Sequence, residues 1–128
     1  MLKIRHSPNE VDIGGSASEL LMARDQIMQF LNSPSKDFVL DADAKVNPTP
    51  YAKTIPKLQI CKSSCATKIS LASDSILRIE GTMENLKVFL SWFDVPPDAK
   101  PGHHGHFDSL DSAHVDKESI PTTVSVGR

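Results

Sequence analysis

Two halves of the 128-residue chain resemble each other, and this internal repeat constrains the fold more than any other feature. Matching positions lie 65 to 67 residues apart. A unit of about 60 residues is marginally stable alone, so we expect the two repeats, about 3–62 and 68–128, to share one core in a single domain, 1–128. The matches are Lys3-Ile4 with Lys68-Ile69, residues 13–16 with 79–82, Leu20 with Leu86, Ile27 with Phe93, and residues 38–41 with 106–108.

Each half shows the same order of local patterns. Two short alternating segments, separated by a polar break at 7–10 or 73–75, predict a β-hairpin. Ser16 and Glu19 have the spacing of a capping box, and Thr82 is the matching N-cap. Apolar stripes at spacings of three and four residues predict a helix after each cap; their members are Leu20, Ala23, Ile27 and Leu31, then Met83, Leu86, Phe89, Leu90 and Phe93.

After each helix the chain leads to two further strands, the last of which follows an isoleucine–proline pair at 55–60 or 120–126. Each repeat is therefore predicted to be a ββαββ unit. Two such units most simply form an α+β fold, in which tandem ββαββ units share an antiparallel sheet with two helices on one face.

Charge and hydropathy exclude several classes of function. The net charge of −2 is too small and of the wrong sign for a nucleic-acid binder that works by bulk attraction. No apolar run approaches the roughly 18 residues of a membrane span, and the start of the sequence lacks the apolar segment of a signal peptide. We therefore expect a cytoplasmic protein that binds neither nucleic acid nor membrane.

No motif of an enzyme is present. The Gly14-Gly15 pair precedes a helix but lacks the lysine and the wider glycine spacing of a phosphate-binding loop. No serine or cysteine nucleophile has a recognisable motif around it. The sequence predicts no catalysis and no cofactor.

The two cysteines, Cys61 and Cys65, lie in the segment CKSSC. A structural zinc site usually takes four ligands, which often arrive as two close pairs, and here there is one pair at wider spacing. We interpret them as ordinary thiols, with a metal or redox role as the alternative.

Histidines cluster in the second half. If residues 104–108 are extended, His104, His106 and Asp108 share one face of a strand. Imidazole and carboxylate are ligands of zinc, nickel and iron, so a small metal-binding protein that uses His104, His106, Asp108 and His114 is an alternative hypothesis. The other interpretation is a polar strand that faces solvent, because the first repeat has Asp37, Val39 and Asp41 at the corresponding positions.

The second half also resembles a known family. Over residues 68–128, the segments SILRIEGT, LKVFLSWF, HGHFD and SIPTTVSV are similar to bacterial polymorphic-toxin immunity proteins of the immunity protein 32 type. The resemblance implies a protein that binds and neutralises a cognate toxin made by the same cell, with no catalysis of its own.

If that function holds, the toxin is expected to contact the two long polar segments, 32–51 and 96–116, because loops carry function more often than core strands. Homodimerisation through an edge strand, such as the terminal segment 121–126, is a further hypothesis. The predicted partner-binding residues are Asp37, Asp41, Asp43, Tyr51, His104, His106, Asp108 and Asp111.

Overall fold

A computed structural model of the chain describes residues 1–102, 104–107, 115, 116 and 118–127, with 104–107 described by their backbone alone. Over these residues the chain forms nine strands and two helices. In chain order they are β1 (Lys3–Ser7), β2 (Glu10–Gly15), α1 (Ala17–Leu31), β3 (Asp37–Asp41), β4 (Lys53–Ile55), β5 (Lys57–Lys62), β6 (Lys68–Ser73), β7 (Ile76–Gly81), α2 (Met83–Leu90), β8 (His104–Phe107) and β9 (Thr122–Val126), with a 3-10 turn at Ser91–Phe93 after α2.

The strands form two mixed sheets. The order is β4-β1-β2-β9-β8 in the five-stranded sheet and β3-β5-β7-β6 in the four-stranded sheet. Each sheet contains one parallel pair, β2 with β9 and β5 with β7, and its other pairs are antiparallel. The predicted α+β class is confirmed, but the single shared antiparallel sheet is wrong.

The sheets differ from that expectation because the two halves exchange strands. The β1–β2 hairpin of the first half pairs through β2 with β9 of the second half, and β8 lies beyond β9. The β6–β7 hairpin of the second half pairs through β7 with β5 of the first half, and β3 lies beyond β5. Ile13 lies between Ile4 and Val124 across one sheet. Ile79 lies between Ile69 and Ile60 across the other, so the two sheets are built on the same plan.

Proline explains a second difference. The segment 55–60, expected as one strand, is divided at Pro56 into β4 and β5, since proline has no N–H for a ladder. Ile55 pairs with Ile4 of β1. In the second half the N–H of Ile120, just before a proline, donates to the carbonyl of Ile69 of β6 at 2.9 Å. The residue before the proline thus bonds to the first strand of the hairpin in both halves.

Both helices begin at the predicted caps. The Ser16 hydroxyl accepts a hydrogen bond from the N–H of Glu19, whose carboxylate accepts one from the N–H of Ser16. Thr82 caps α2 through the N–H of Asn85. The predicted stripes are buried except for Met83, which is exposed in the first turn of α2; the buried members are Leu20, Ala23, Ile27, Leu31, Leu86, Phe89, Leu90 and Phe93.

One hydrophobic cluster contains the buried residues of both halves. It joins Ile4 and Ile13 of the five-stranded sheet, Ile60 and Ile79 of the four-stranded sheet, and the inner faces of both helices. No helix in the described part of the chain is long and apolar enough to cross a membrane.

The terminal strand is not an edge, contrary to the sequence-based hypothesis. β9 pairs with β2 on one side and with β8 on the other. Its backbone groups are therefore already used in the ladder, and the two-sided pairing follows from the exchange of strands between the halves.

The glycines that precede the two helix caps provide a test of the packing. A Cβ at Gly81 would lie 3.1 Å from the backbone Cα of the buried Thr67. A Cβ at Gly15 would lie 3.3 Å from the nearest atom, Cβ of the Glu19 side chain, on a residue that is only partly buried. We expect Gly81→Ala to lower the free energy of unfolding by about 1–3 kcal/mol. Gly15→Ala should change it less, and equal losses in urea titrations would contradict the packing described for Thr67.

Candidate functional site

Strand β3 is an edge of the four-stranded sheet. Among the described residues it pairs with β5 alone, in antiparallel register from Asp37 opposite Cys61 to Asp41 opposite Lys57. The side chains of Asp37, Val39 and Asp41 are exposed, and Val39 retains 45% of its accessible surface. An exposed valine between two exposed carboxylates is therefore presented along an open strand.

The backbone of β3 alternates in the same way. The N–H of Lys62 donates to the carbonyl of Lys36, and the N–H of Ala42 donates to that of Pro56, each at 2.8 Å. In an antiparallel ladder, hydrogen-bonded and non-bonded pairs alternate, so even-numbered residues of β3 bond to β5. The N–H and C=O groups of Asp37, Val39 and Asp41 therefore point toward the open edge.

A groove runs beside this edge, between α1 and β3; Phe30, Phe38 and Leu40 are its apolar wall residues, and Gln26, Gln29, Ser33 and Ser35 are polar ones. Phe30 of α1 stacks on Phe38 of β3 with ring centroids 5.5 Å apart. Two adjoining cavities, of about 450 and 280 Å³, share Gln26 and Leu40 in their walls. Met22, which is 63% exposed, lines the smaller cavity. The groove and the open strand form one continuous surface, which we call the β3 surface.

Three carboxylates line the β3 surface: Asp37 and Asp41 lie at the two ends of the strand, and Glu19 pairs with the N-terminal ammonium in the wall of the smaller cavity. Asp41 Oδ1 lies 3.1 Å from Lys57 Nζ, but both groups are well exposed, so the pair contributes little and leaves the carboxylate accessible. Asp37 forms no ion pair with any described residue. Lys62 donates to the carbonyl of Ser33 at 2.6 Å and lies 4.8 Å from the centre of the Phe30 ring, so its ammonium is already engaged.

Strand β8 is the counterpart of β3 at the edge of the other sheet. Phe38 pairs with Ile60, which in turn pairs with Ile79 on the next strand. In the other sheet Gly105 pairs with Val124, which in turn pairs with Ile13. This register makes His104 equivalent to Asp37 and His106 equivalent to Val39. The sequence-based correspondence between the histidine segment and residues 37–41 thus agrees with the pairing.

The metal hypothesis concerns residues that the structure does not describe in full. His104 and His106 lie on β8, described by backbone alone, and Asp108, Asp111 and His114 lie outside the described residues. Over the part of the chain that is described, no group of three or more His, Cys, Asp or Glu side chains is placed to hold a metal ion. The hypothesis stays a prediction.

The other two predicted partner-binding residues lie in the loop 42–52. Asp43 accepts a hydrogen bond from the N–H of Lys45 at 2.9 Å, and its own N–H donates to the carbonyl of Leu2 at 2.8 Å. The Tyr51 ring lies 5.9 Å from the guanidinium of Arg5. Both residues thus help to hold the loop, Tyr51 against Arg5 of β1 and Asp43 against Leu2, which precedes β1. Asp37 and Asp41, in contrast, lie together on β3.

A buried polar cluster, which sequence reasoning missed, lies on the five-stranded sheet near this loop. Asp12 is completely buried and accepts a hydrogen bond from the hydroxyl of Ser125 at 2.6 Å. Arg5 Nη2 lies 3.6 Å from Asp12 Oδ2, and Arg5 Nη1 donates to the carbonyl of Thr49 at 3.4 Å. The cluster therefore links β1, β2, β9 and the loop. The alternation around Asp12 predicts only a polar face, since nothing local shows that a loop approaches it.

Because Asp12 is buried with its partners, its removal should be costly. We expect Asp12→Ala to lower the free energy of unfolding by about 3–5 kcal/mol, since it leaves Arg5 buried without its carboxylate. Asp74→Ala is the matched control: Asp74 is fully exposed, and its pair with Lys53 should contribute less than about 1 kcal/mol. Chemical denaturation measures both values, and similar losses would contradict the structural role of Asp12.

The two cysteines differ in exposure. Cys61 is half-buried on β5 and Cys65 is exposed, and neither forms a disulfide. Burial is the main cause that raises the pKa of Cys61, which lowers its thiolate fraction near neutral pH. The sulfur of Cys65 lies 3.1 Å from the hydroxyl oxygen of Ser63.

His6 on β1 provides a prediction about pH. Burial is the main cause that lowers its pKa below the ordinary value of 6.5, and the charge of Lys53 adds to the shift. The unfolded chain therefore binds a proton at higher pH than the folded protein does, so this residue's contribution to stability is lost as pH falls through 6.5 toward the folded pKa. Urea titrations at pH 7.5 and 5.5 should show a smaller loss of stability for His6→Gln than for the parent. An unchanged difference between the two pH values would refute this role.

Comparison of the chain with family models, with curated proteins and with solved structures gives no match.

Proposed function

We propose that the protein is an immunity-type inhibitor, which binds and neutralises a cognate bacterial toxin and performs no catalysis. The observation that carries this proposal is the β3 surface: an open strand, with exposed Val39 and two exposed carboxylates, beside a groove with apolar wall residues. The resemblance of residues 68–128 to immunity proteins of the immunity protein 32 type supplies the class of partner. A toxin made by the same cell would meet such an inhibitor in the cytoplasm.

Several properties of the β3 surface support binding of a protein rather than of a small molecule. The surface is long and shallow, and it combines exposed apolar side chains with backbone groups that face outward, the combination that peptide-binding edges use. Met22 beside the groove and Val39 on the outer face of β3 are both large apolar residues left exposed. Acidic residues at both ends of the strand supply the polar rim that interfaces have around an apolar centre.

Two of the residues predicted to contact the toxin, Asp37 and Asp41, belong to this surface. Their side chains are exposed and flank the centre of the strand. Carboxylates at such positions contribute to the rate of association and to the choice of partner more than to raw affinity. The proposal therefore gives the apolar residues of the groove, Phe30, Phe38 and Leu40, the main share of the binding energy and gives the two aspartates a role in selection.

The test of the function begins with the product of the gene adjacent to the one that encodes this protein, assayed as the toxin. Co-expression of the two proteins should give a stable complex in size-exclusion chromatography and should protect cells from the toxin. A toxin that neither forms a complex nor loses its toxicity in the presence of this protein would refute the proposal.

Within that experiment, Val39→Lys tests the surface. A lysine at the centre of β3 should raise the dissociation constant of the complex by at least about tenfold, since it replaces the exposed apolar side chain at the middle of the edge with a charge. Ala72→Lys is the control, because Ala72 is also exposed but lies on β6, at the opposite edge of the same sheet. Isothermal titration calorimetry measures both variants, and equal affinities would place the contact elsewhere on the molecule.

A further inference from the structure

The open edge of β3 has the features of a site for an added strand. Three consecutive odd-numbered residues, Asp37, Val39 and Asp41, direct backbone N–H and C=O groups away from β5, and nothing in the described residues pairs with them. A strand that lies alongside β3 would satisfy these groups by the same ladder that joins β3 to β5. We infer that β3 accepts an extended segment of the partner protein whose residues follow the order basic, apolar, any, apolar, basic. The identity of that partner as a toxin rests on the proposed function, whereas the pattern of the segment rests on β3 itself.

The groove determines the apolar positions of this segment. Side chains of neighbouring strands that lie opposite each other point to the same face of a sheet. Residues opposite Phe38 and Leu40 would therefore point toward α1, into the groove lined by Phe30, Met22 and Leu40. The two cavities there, of about 450 and 280 Å³, have room for aliphatic side chains. An aliphatic side chain opposite Phe38 would pack beside the stacked rings of Phe30 and Phe38.

The carboxylates determine the basic positions. Residues opposite Asp37 and Asp41 would lie on the outer face of the sheet, beside exposed carboxylates four residues apart. Cross-strand pairs of opposite charge stabilise a sheet, and like charges directly opposite each other destabilise it. Lysine or arginine at both ends of the segment therefore fits β3, and acidic residues there do not. The central residue lies opposite Val39, where a β-branched side chain packs well.

The same charges disfavour a second copy of the chain, paired through β3, as the occupant. Antiparallel pairing of two β3 strands about Val39 would place Asp37 of each copy opposite Asp41 of the other, so that both ends carry like charges. Edge strands that avoid pairing with their own kind use charges in this way. The edge thus favours a segment with basic ends over a second copy of itself.

The experiment uses cyclic β-hairpin peptides, in which one strand presents the sequence under test and the ring keeps it extended. The matching strand is Lys-Val-Thr-Val-Lys. One control, Glu-Val-Thr-Val-Glu, reverses the charges, and the other, Val-Lys-Thr-Lys-Val, keeps the composition but moves the lysines to the groove side. We expect the matching peptide to bind the full chain at least about tenfold more tightly than either control in NMR titrations.

Hydrogen exchange identifies the site of binding. The free protein should show slow exchange at the amides of Phe38 and Leu40, which bond to β5, and fast exchange at those of Asp37, Val39 and Asp41. The matching peptide should slow exchange at the three odd-numbered amides. Protection that appears only at other strands, or equal binding of all three peptides, would overturn the inference.

A charge reversal completes the test. The double variant Asp37→Lys/Asp41→Lys should prefer the glutamate peptide to the lysine peptide, while circular dichroism should show an unchanged fold. A variant that keeps the parent's preference would refute the role of the two carboxylates. Analytical ultracentrifugation should show that the parent is not a dimer paired through β3. A dimer of the parent that the variant Val39→Lys abolishes would instead make a second copy the occupant.

Failure of the two proposals can be distinguished. A toxin that fails to bind, together with selective binding of the matching peptide, would refute the immunity function and leave strand addition in place. A toxin that binds without protecting the amides of Asp37, Val39 and Asp41 would refute strand addition and leave the immunity function in place.

Discussion

The parallel pairing between halves is the constraint on which the rest of the structure depends. Ile13 in one sheet and Ile79 in the other are completely buried, and each lies beside a strand from the opposite half. Without β9, the β1–β2 hairpin would have only β4 beside it; without β5, the β6–β7 hairpin would lose its link to β3. Each half therefore completes the sheet of the other, which explains why a unit of about 60 residues, marginal alone, is stable as a pair. The edge strands are fixed at the ends of their sheets by the same exchange.

Local chemistry made much of this fold predictable from the sequence. The cap at Ser16, the cap at Thr82 and the stripe from Leu20 to Leu31 depend on neighbours within a few residues, and the structure has them as expected. The exchange of strands has no such signal. An alternating segment buries one face in the same way whether its neighbour belongs to its own half or to the other half, and whether the neighbour is parallel or antiparallel. Pro56 is an intermediate case. The sequence shows that its N–H is missing, but it does not show that the residues before Pro56 join one sheet and those after it join the other.

The candidate site was predictable to the same limited extent. Asp37 and Asp41 stand out in a polar segment, and their correspondence with the histidine segment is visible in the sequence. Their position on an open edge follows from the order of strands, and the outward direction of their backbone groups follows from the register with β5. Both are long-range properties. For Asp12 the prediction is wrong rather than incomplete. Alternation in β2 predicts a surface residue, whereas Arg5 and Ser125 enclose Asp12 because β1 and β9 lie on either side of it.

The two equivalent edges show how one scaffold can separate stability from recognition. Burial and pairing keep the matching positions of the two sheets apolar: Ile4 matches Ile69, Ile13 matches Ile79, and Val124 matches Ile60. The edges have diverged to Asp-Phe-Val-Leu-Asp in β3 and to His-Gly-His-Phe in β8. An edge strand must avoid pairing with copies of itself if the protein is to stay soluble. On β3 that requirement is met by carboxylates four residues apart, which oppose each other in a self-pair but attract a strand with basic ends. Since one pair of residues both rejects copies and selects a partner, the charge that protects the edge also gives it specificity.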